Sequence, residues 1–295
     1  NTPLRLQTFA KYARDTFHDN QLLARQERHI AVILAEGDVA TEGDQISTER
    51  MTKMLRQVRD NDDVKAVILR INSPGGSALA SEEIWKEDVL TAAKKTLYVS
   101  MGDYAASGGY YIAMPALQIY ANPMTITGSI GVFGVVPYAG DFLKNKLGVT
   151  TDEARTHRYG TLSLTQRLNP EELNFMQLEV DAIYNQFLKR VSEGRKLTKK
   201  RVQQVARGRV WTGKNAQQRG LVDELGGLNA TVQALQNKVG VKEVVYYPQK
   251  EDDTLGFDFI FSDLADIPGH GESIDDLDRA DRSHSRKPAN DSLIR

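Results

Sequence analysis

The hydrophobic and polar positions of this chain follow two periodicities, that of buried strands and that of amphipathic helices. Short apolar runs typical of buried strands occur at 30–34, 64–72, 97–101 and 119–121. Apolar side chains recur at helical spacing over about 47–60, 79–94, 105–114, 170–193 and 198–207. A last helix and strand end near Tyr247. Strands that alternate with helices in this way predict βαβ crossovers and a largely parallel sheet.

The two ends of the chain differ from this pattern. Residues 1–28 are polar and mixed in charge, and we predict a leader or linker there, followed by one folded domain over 29–250. Residues 251–295 are first acidic and then rich in Ser, Arg and Asp, which predicts a polar, largely disordered tail. The start, Asn1-Thr2-Pro3, shows neither an initiator Met nor a signal-peptide pattern, so we expect one part of a longer protein.

Composition and charge exclude several classes of function. The 295 residues carry 38 Lys and Arg against 39 Asp and Glu, so the net charge of −1 predicts no nucleic-acid partner. The chain has no cysteine, which removes disulfides, thiol nucleophiles and Cys-based zinc sites. The five histidines show no metal-ligand spacing, and we predict neither a metal nor another cofactor.

Charged side chains near the end of the long helix are predicted to be solvated. They are Arg190, Glu193 and Arg195. Tyr110 and Tyr111 are predicted to be core residues rather than contacts of a cofactor.

A first glycine-rich turn, Asn72-Ser73-Pro74-Gly75-Gly76-Ser77, follows a predicted strand. Open α/β sheets place their ligand crevice at such strand ends. The proline and the two glycines permit a sharp turn that aims a backbone N–H outward before a helix begins. Acyl-transfer enzymes need such donors for the oxyanion of a tetrahedral intermediate. Taken alone, the turn also fits a tight connection without a catalytic role.

A second turn places Ser107 among small residues, in Ala105-Ala106-Ser107-Gly108-Gly109. Small neighbours leave room for a substrate carbonyl at the hydroxyl, and a helix N-terminus puts a positive backbone dipole behind it. Close packing of a helix on a sheet would need the same small residues. The two turns are one βαβ step apart, and right-handed crossover geometry predicts that they lie side by side.

Four segments, in order, resemble the family of signal peptide peptidase A, or protease IV, serine peptidases of the superfamily of the Clp protease proteolytic subunit and the crotonases. They are VKAVILRINSPGGSALASE (64–82), SMGDYAASGGYYIA (100–113), ANPMTITGSIGVFGV (121–135) and GRVWTGKNAQQRGLVDELGG (208–227). The resemblance implies an α/β, crotonase/ClpP-like fold with a largely parallel sheet and a helical C-terminal extension. It also implies hydrolysis of cleaved signal peptides at the bacterial inner membrane, with the active site facing the periplasm.

The resemblance also implies a role for each matching residue. Ser107 matches the nucleophile, and Gly76 and Gly108 match the backbone N–H donors of the oxyanion hole. Gly75 matches the glycine that shapes the first turn, and Ser129 matches a serine that orients the general base. The family uses a Ser–Lys dyad, and helical arms assemble rings in the superfamily, so we expect a homo-oligomer that acts on peptides.

The general-base lysine is missing where the short, single-repeat members of the family carry it. Its position falls on Gly160, and no lysine occurs between Lys146 and Lys189. We therefore expect the C-terminal repeat of the long, tandem-repeat form, with the lysine supplied by an N-terminal repeat or another chain. His157 is a local alternative, whereas Arg158 is not, because guanidinium groups stay protonated in proteins.

Two other functions stay open at this point. A chain that lost its lysine also fits a catalytically incomplete scaffold that keeps peptide binding or assembly. An acyl-CoA hydratase or isomerase of the crotonase type would share the oxyanion turn. Those enzymes use carboxylates instead of a serine nucleophile, and Ser107 between small residues disfavours them.

Overall fold

The structure is a computed structural model that describes residues 28–152, 154 and 163–247. The strands are β1 His29–Glu36, β2 Val39–Ala40, β3 Ile46–Ser47, β4 Val64–Ser73, β5 Thr96–Ala106, β6 Gln118–Ala121, β7 Ile126–Gly128, β8 Val210–Thr212, β9 Glu224–Leu225 and β10 Glu243–Tyr247. The helices are α1 Thr48–Asp60, α2 Ala78–Lys94, α3 Gly108–Ile112, α4 Gly140–Leu147, α5 Pro170–Gly194, α6 Lys199–Val205, α7 Gly213–Gln218 and α8 Leu228–Val239.

The predicted leader, apart from Arg28, and the predicted tail lie outside the described residues. The domain boundaries at 29 and 250 therefore stay predictions.

A mostly parallel sheet in the order β10-β1-β4-β5-β6-β9 organises these elements. This arrangement confirms the predicted α/β class with a largely parallel sheet and a helical C-terminal part. Alternate residues of β1 enter two separate apolar clusters, Ala31 and Ile33 on one face, Ile30 and Val32 on the other. Because both faces of the central strands are covered, these strands appear in the sequence as continuous apolar runs.

Strand β5 has two neighbours in succession along one edge. Its first half pairs with β6, and its last three residues, Tyr104 to Ala106, pair with β7. The predicted helix over 105–114 is therefore wrong at its start, because α3 begins only at Gly108. Pairing with β7 overrides the helix preference of the two alanines.

Two arginines predicted as surface charges are largely buried. The side chain of Arg195 is 6% exposed and pairs with Asp223, and that of Arg190 is 14% exposed and pairs with Glu82. The prediction failed because the last turns of α5 lie against the body of the domain, with Gly194 directly against the carbonyl of Met114. Glu193, 54% exposed, is a surface charge as predicted.

Asp88 is fully buried on α2, and neither carboxyl oxygen has a hydrogen-bond partner in the described part of the chain. Burial raises the pKa of this carboxyl well above its ordinary value, and the charge of Glu87 adds to the effect. At a pH between the ordinary pKa and the raised pKa, Asp88 keeps its proton in the folded protein and releases it in the unfolded chain. The contribution of protonated Asp88 to the free energy of unfolding is complete below the ordinary Asp pKa of about 3.9 and is lost as pH rises through the raised pKa.

We expect the substitution Asp88→Asn to remove this pH dependence, because the amide keeps the shape of the side chain and does not titrate. Relative to the variant, the wild type should lose up to about 1.4 kcal/mol of unfolding free energy per pH unit above the ordinary Asp pKa. Urea denaturation at mildly acidic, neutral and alkaline pH measures the difference. Asp62→Asn, at an exposed carboxyl, is the control. Parallel stability curves for wild type and Asp88→Asn would contradict the assignment.

Candidate active site

Ser107 connects β5 to α3 in a backbone conformation that L-residues seldom adopt, with φ 52° and ψ −120°. Its N–H donates to the carbonyl of Gly128 at 3.0 Å, and its carbonyl accepts from the N–H of Tyr111 at 2.9 Å. These bonds tie the residue to β7 on one side and to α3 on the other, so the fold itself holds the strained turn. The side chain is only half-buried, and the core does not seal it off.

A bulge in β5 precedes this turn. The register between β4 and β5 shifts there, and the side-chain oxygen of Asn72 accepts from the N–H groups of Asp103 at 3.1 Å and Tyr104 at 3.2 Å. A Cβ on Gly102 would lie only 2.7 Å from the same oxygen. Asn72 belongs to the first glycine-rich turn, so one side chain of that turn shapes the strand that leads to Ser107.

The first turn is held by a parallel bridge to β2. The N–H of Val39 donates to the carbonyl of Gly75 at 2.8 Å, and the N–H of Ser77 donates to the carbonyl of Val39 at 2.7 Å. These bonds use the groups on either side of Gly76, so the N–H of Gly76 itself points away from β2. Gly75, with φ 113°, and Gly76, with φ 149°, adopt conformations that favour glycine.

The structure brings the two turns together at Ser107. A Cβ on Gly75 would lie 2.6 Å from the Cβ of Ser107 and 2.8 Å from the nitrogen of Gly108. A Cβ on Gly108 would lie 3.2 Å from the nitrogen of Gly76. Neither of these two N–H groups donates to an acceptor among the described residues. N–H groups that have no described acceptor and lie close to a serine are the kind of donor that an oxyanion hole requires.

Ser129 lies next to the same turn. It follows Gly128, whose carbonyl accepts from Ser107, and its own φ of 47° is left-handed. Its N–H donates to the carbonyl of Arg209 at 2.8 Å, and its side chain is half-buried. Within the described ranges no side chain or backbone group forms a hydrogen bond with the hydroxyl of Ser107 or of Ser129. The stretch with Arg155, His157, Arg158 and Gly160 lies outside those ranges, so a local base there stays a prediction.

Among the described residues, the chain after β7 has a hydrogen-bonded neighbour on one edge only. On that edge the antiparallel neighbour continues, since the N–H of Gly208 donates to the carbonyl of Ile130 at 2.9 Å. On the Ser107 edge β5 ends at Ala106, and the N–H groups of 130–136 donate to no described residue. Phe133 is 86% exposed along this stretch. A segment whose N–H groups have no described acceptor therefore starts two residues after Gly128, whose carbonyl accepts from Ser107.

In the part of the chain that the structure describes, no cluster of His, Asp or Glu side chains is arranged to hold a metal ion. None of the helices there combines the length and the apolar character needed to cross a membrane.

Sequence reasoning missed two polar residues of this region. Asn72 and Glu82 both lie within the quoted segment 64–82 but were given no role. An Asn just before a Ser-Pro-Gly-Gly turn was the available signal for Asn72, because such residues bond to nearby backbone. Glu82 gave no signal, since its partners, Tyr111 and Arg190, are far away in sequence.

Comparison with known proteins identifies the family. The model of peptidase family S49 matches residues 90–242. The chain belongs to peptidase family S49. The matched range contains Ser107, Gly108 and Ser129, whereas Gly75 and Gly76 precede it.

Several relatives carry protease names. The chain is 39% identical to Protease 4 of Salmonella typhi and 41% identical to Protease 4 of Haemophilus influenzae, over 69% and 72% of its length. It is 38% identical to the chloroplastic serine protease SPPA of Arabidopsis thaliana over 70% of its length. These matches cover 33%, 35% and 31% of the relatives, so the S49 chain spans about a third of their length.

We expect the substitution Gly75→Ala to damage this S49 site beyond its effect on backbone strain. Gly43 has nearly the same φ, 111° against 113°, but a Cβ there meets nothing within 4 Å. Because the new methyl group of Gly75→Ala would overlap Ser107 and Gly108, it should cost about 1–3 kcal/mol more than Gly43→Ala. Urea denaturation of both variants measures the difference. Equal losses of stability would show that the two turns are not in close contact.

Proposed function

We propose that this chain is the nucleophile-bearing part of a serine endopeptidase. The observation that supports this most is the pair of N–H groups of Gly76 and Gly108, which have no described acceptor and lie at the turn that carries Ser107. A tetrahedral intermediate places a negative oxygen next to the attacked carbon, and two N–H donors stabilise that charge more than they stabilise the neutral carbonyl. Membership of a peptidase family and relatives named as proteases agree with this chemistry.

The proposed reaction proceeds in two stages. A base removes the proton of Ser107 as its Oγ forms a bond to the carbonyl carbon, and the carbonyl electrons move to the oxygen. The intermediate then expels the amine, which takes the proton from the base, and an ester to Ser107 remains. Water, deprotonated by the same base, attacks this ester and releases the carboxylic acid, and the proton returns to Ser107.

We assign the base to a lysine supplied by an N-terminal repeat or another chain. A lysine acts only when neutral, so its pKa, ordinarily about 10.4, must fall through burial or neighbouring positive charge. The absence of lysine between Lys146 and Lys189 supports an external source. About two thirds of each Protease 4 relative lies beyond the match, which is room for such a repeat. The hydroxyl of Ser129, one residue from Gly128, would orient the amine.

Substrate peptides would bind along the edge of 130–136 as an added strand. Unpaired backbone groups of an edge bind an extended peptide through main-chain hydrogen bonds, and exposed side chains set the preference. Phe133 and Val135, 86% and 77% exposed, favour apolar substrates. Cleaved signal peptides or other membrane-associated peptides fit this chemistry, and a relative from Enterococcus faecium is named a putative signal peptide peptidase. The site would then face the periplasm at the bacterial inner membrane.

A second copy of the chain is the partner that we propose for the arm formed by α4 and the first turns of α5. The arm exposes large apolar side chains, Phe142, Leu147, Leu173, Phe175 and Leu178, each at least half exposed. α4 has no buried residue, and α5 buries only Phe187, Leu188 and Val191 near its end. Apolar surface concentrated in this way indicates an interface.

The isolated chain is expected to hydrolyse a fluorogenic peptide weakly or not at all, because the lysine is outside it. Addition of the lysine-bearing repeat should restore hydrolysis, and Ser107→Ala should abolish it. Strong hydrolysis by the isolated chain that Ser107→Ala abolishes would refute the external base.

A fluorophosphonate probe separates the remaining functions. In the restored protein, the chain combined with the lysine-bearing repeat, the probe should label Ser107. It should also label Ser107 in the control variant Ser163→Ala. Persistent failure to label would favour a catalytically incomplete scaffold or an enzyme of the hydratase type.

Light scattering tests the proposed assembly. Leu178→Asp should reduce the mass of the oligomer, because a carboxylate in an apolar interface is costly to desolvate. Leu117, 57% exposed against 56% for Leu178, lies outside the arm, so Leu117→Asp is a matched control. An unchanged mass for Leu178→Asp would exclude this arm as the interface.

A further inference from the structure

We infer that Glu82 is a positioning residue for Ser107, and that it acts by holding Tyr111. The catalytic consequence rests on the proposed function, whereas the effect on the conformation of Ser107 does not.

Glu82 lies on α2 and contacts two other helices. Its Oε2 accepts a short hydrogen bond from the hydroxyl of Tyr111 on α3. Arg190 of α5 donates to both carboxyl oxygens, through Nη2 to Oε1 and through Nε to Oε2 at 3.3 Å. The Nε2 of Gln186, also on α5, donates to Oε1 at 3.3 Å. Glu82 therefore joins α2, α3 and α5 at a single carboxylate.

The charge of this carboxylate is maintained by its partners. Burial raises the pKa of Glu82, but the hydrogen bonds from Arg190 and Tyr111 outweigh it and keep the pKa below its ordinary value. Arg190 is itself fixed, since its guanidinium lies 3.5 Å above the centre of the Trp85 ring. An ionised acceptor in a fixed position is the stronger kind of hydrogen-bond partner for a phenol.

Helix α3 depends on such anchors because it has only five residues. A helix of one turn is not stable by itself, so side chains that reach other elements determine its orientation. The hydroxyl of Tyr110 donates to the carbonyl of Leu221 at 2.7 Å, and that of Tyr111 donates to Glu82. Since the N–H of Tyr111 donates to the carbonyl of Ser107, a shift of Tyr111 moves the residue that carries the hydroxyl.

The same bond links the two glycine-rich turns. α2 starts at Ala78, two residues after Gly76, and α3 starts at Gly108. Glu82 lies in the second turn of α2, and Tyr111 lies in the one turn of α3. The Glu82–Tyr111 bond therefore helps to set the distance between the helix starts that carry the two unbonded N–H groups.

Amide hydrogen exchange tests the inference directly. Tyr111→Phe removes the donor, and Glu82→Leu removes the acceptor. Both should accelerate exchange at the amides of Ser107 and Tyr111 by roughly tenfold or more, the effect of losing a hydrogen bond to a charged group. Glu82→Gln, which keeps an acceptor oxygen, should have a smaller effect.

Two controls remove similar groups outside the proposed interaction. Tyr184→Phe deletes a buried hydroxyl of α5 that has no partner among the described residues, and Glu193→Gln neutralises the other carboxylate near Arg190. In both control variants, the amides of Ser107 and Tyr111 should exchange at the wild-type rate. The amides of β4 report global opening, which the loss of this bond also accelerates, so the positioning role is read at the amides of Ser107 and Tyr111.

The outcomes separate the inference from the proposed function. Unchanged exchange at Ser107 in Tyr111→Phe, whether or not exchange in β4 accelerates, would overturn the positioning role. Fluorophosphonate labelling of Ser107 in the restored protein should slow by a similar factor in the same variants, and normal labelling rates there would overturn the catalytic consequence. If the wild type is never labelled while the exchange pattern holds, the proposed function fails and the conformational role of Glu82 stands.

Discussion

The contact on which the site depends is the close approach of two backbones, that of Gly75 against Ser107 and Gly108. The distances leave no space for a methyl group between them. This approach brings the N–H of Gly76 next to that of Gly108, although the two turns follow different strands, β4 and β5. Main-chain donors held in this way lose little further freedom when a negative oxygen forms, which is why they act as pre-organised stabilisers of charge. Side-chain donors at the same place would need ordering first.

Contacts on both sides of Ser107 hold its strained backbone conformation. A left-handed serine costs on the order of 1–3 kcal/mol, and it persists only where the surroundings determine it. Here the N–H is bonded to Gly128 of β7 and the carbonyl to Tyr111 of α3, while Asn72 holds the bulge that precedes it. The burial of Tyr110 and Tyr111, predicted from sequence as core packing, therefore also anchors the turn.

Sequence patterns predicted the strands and helices that depend on local preference or hydrophobic periodicity. They failed where contacts between distant parts of the chain determine the structure. β1 and β4 were recognised because both faces are buried, and α2 was placed within one residue. The end of β5 was not, because Ala105 and Ala106 favour helix until β7 pairs with them. Arg190 and Arg195 look like surface charges from helical periodicity alone, since their partners Glu82 and Asp223 come from other parts of the chain. The resemblance, rather than periodicity, singled out Gly76, Gly108 and Ser129.

In the proposed function, the described residues supply the charge-stabilising groups of the site, whereas the general base lies outside them. The two N–H groups proposed as oxyanion donors and the proposed nucleophile lie in turns that backbone bonds among the described residues hold in place. A neutral lysine has a different requirement, because it must be desolvated, and desolvation needs surfaces that close over it. The edge of the segment after Ser129 and the apolar arm are the surfaces on which we would place such closure. In the function proposed here, a rigid donor site in one unit and a base enclosed by another would restrict hydrolysis to the assembled protein, where both conditions are met.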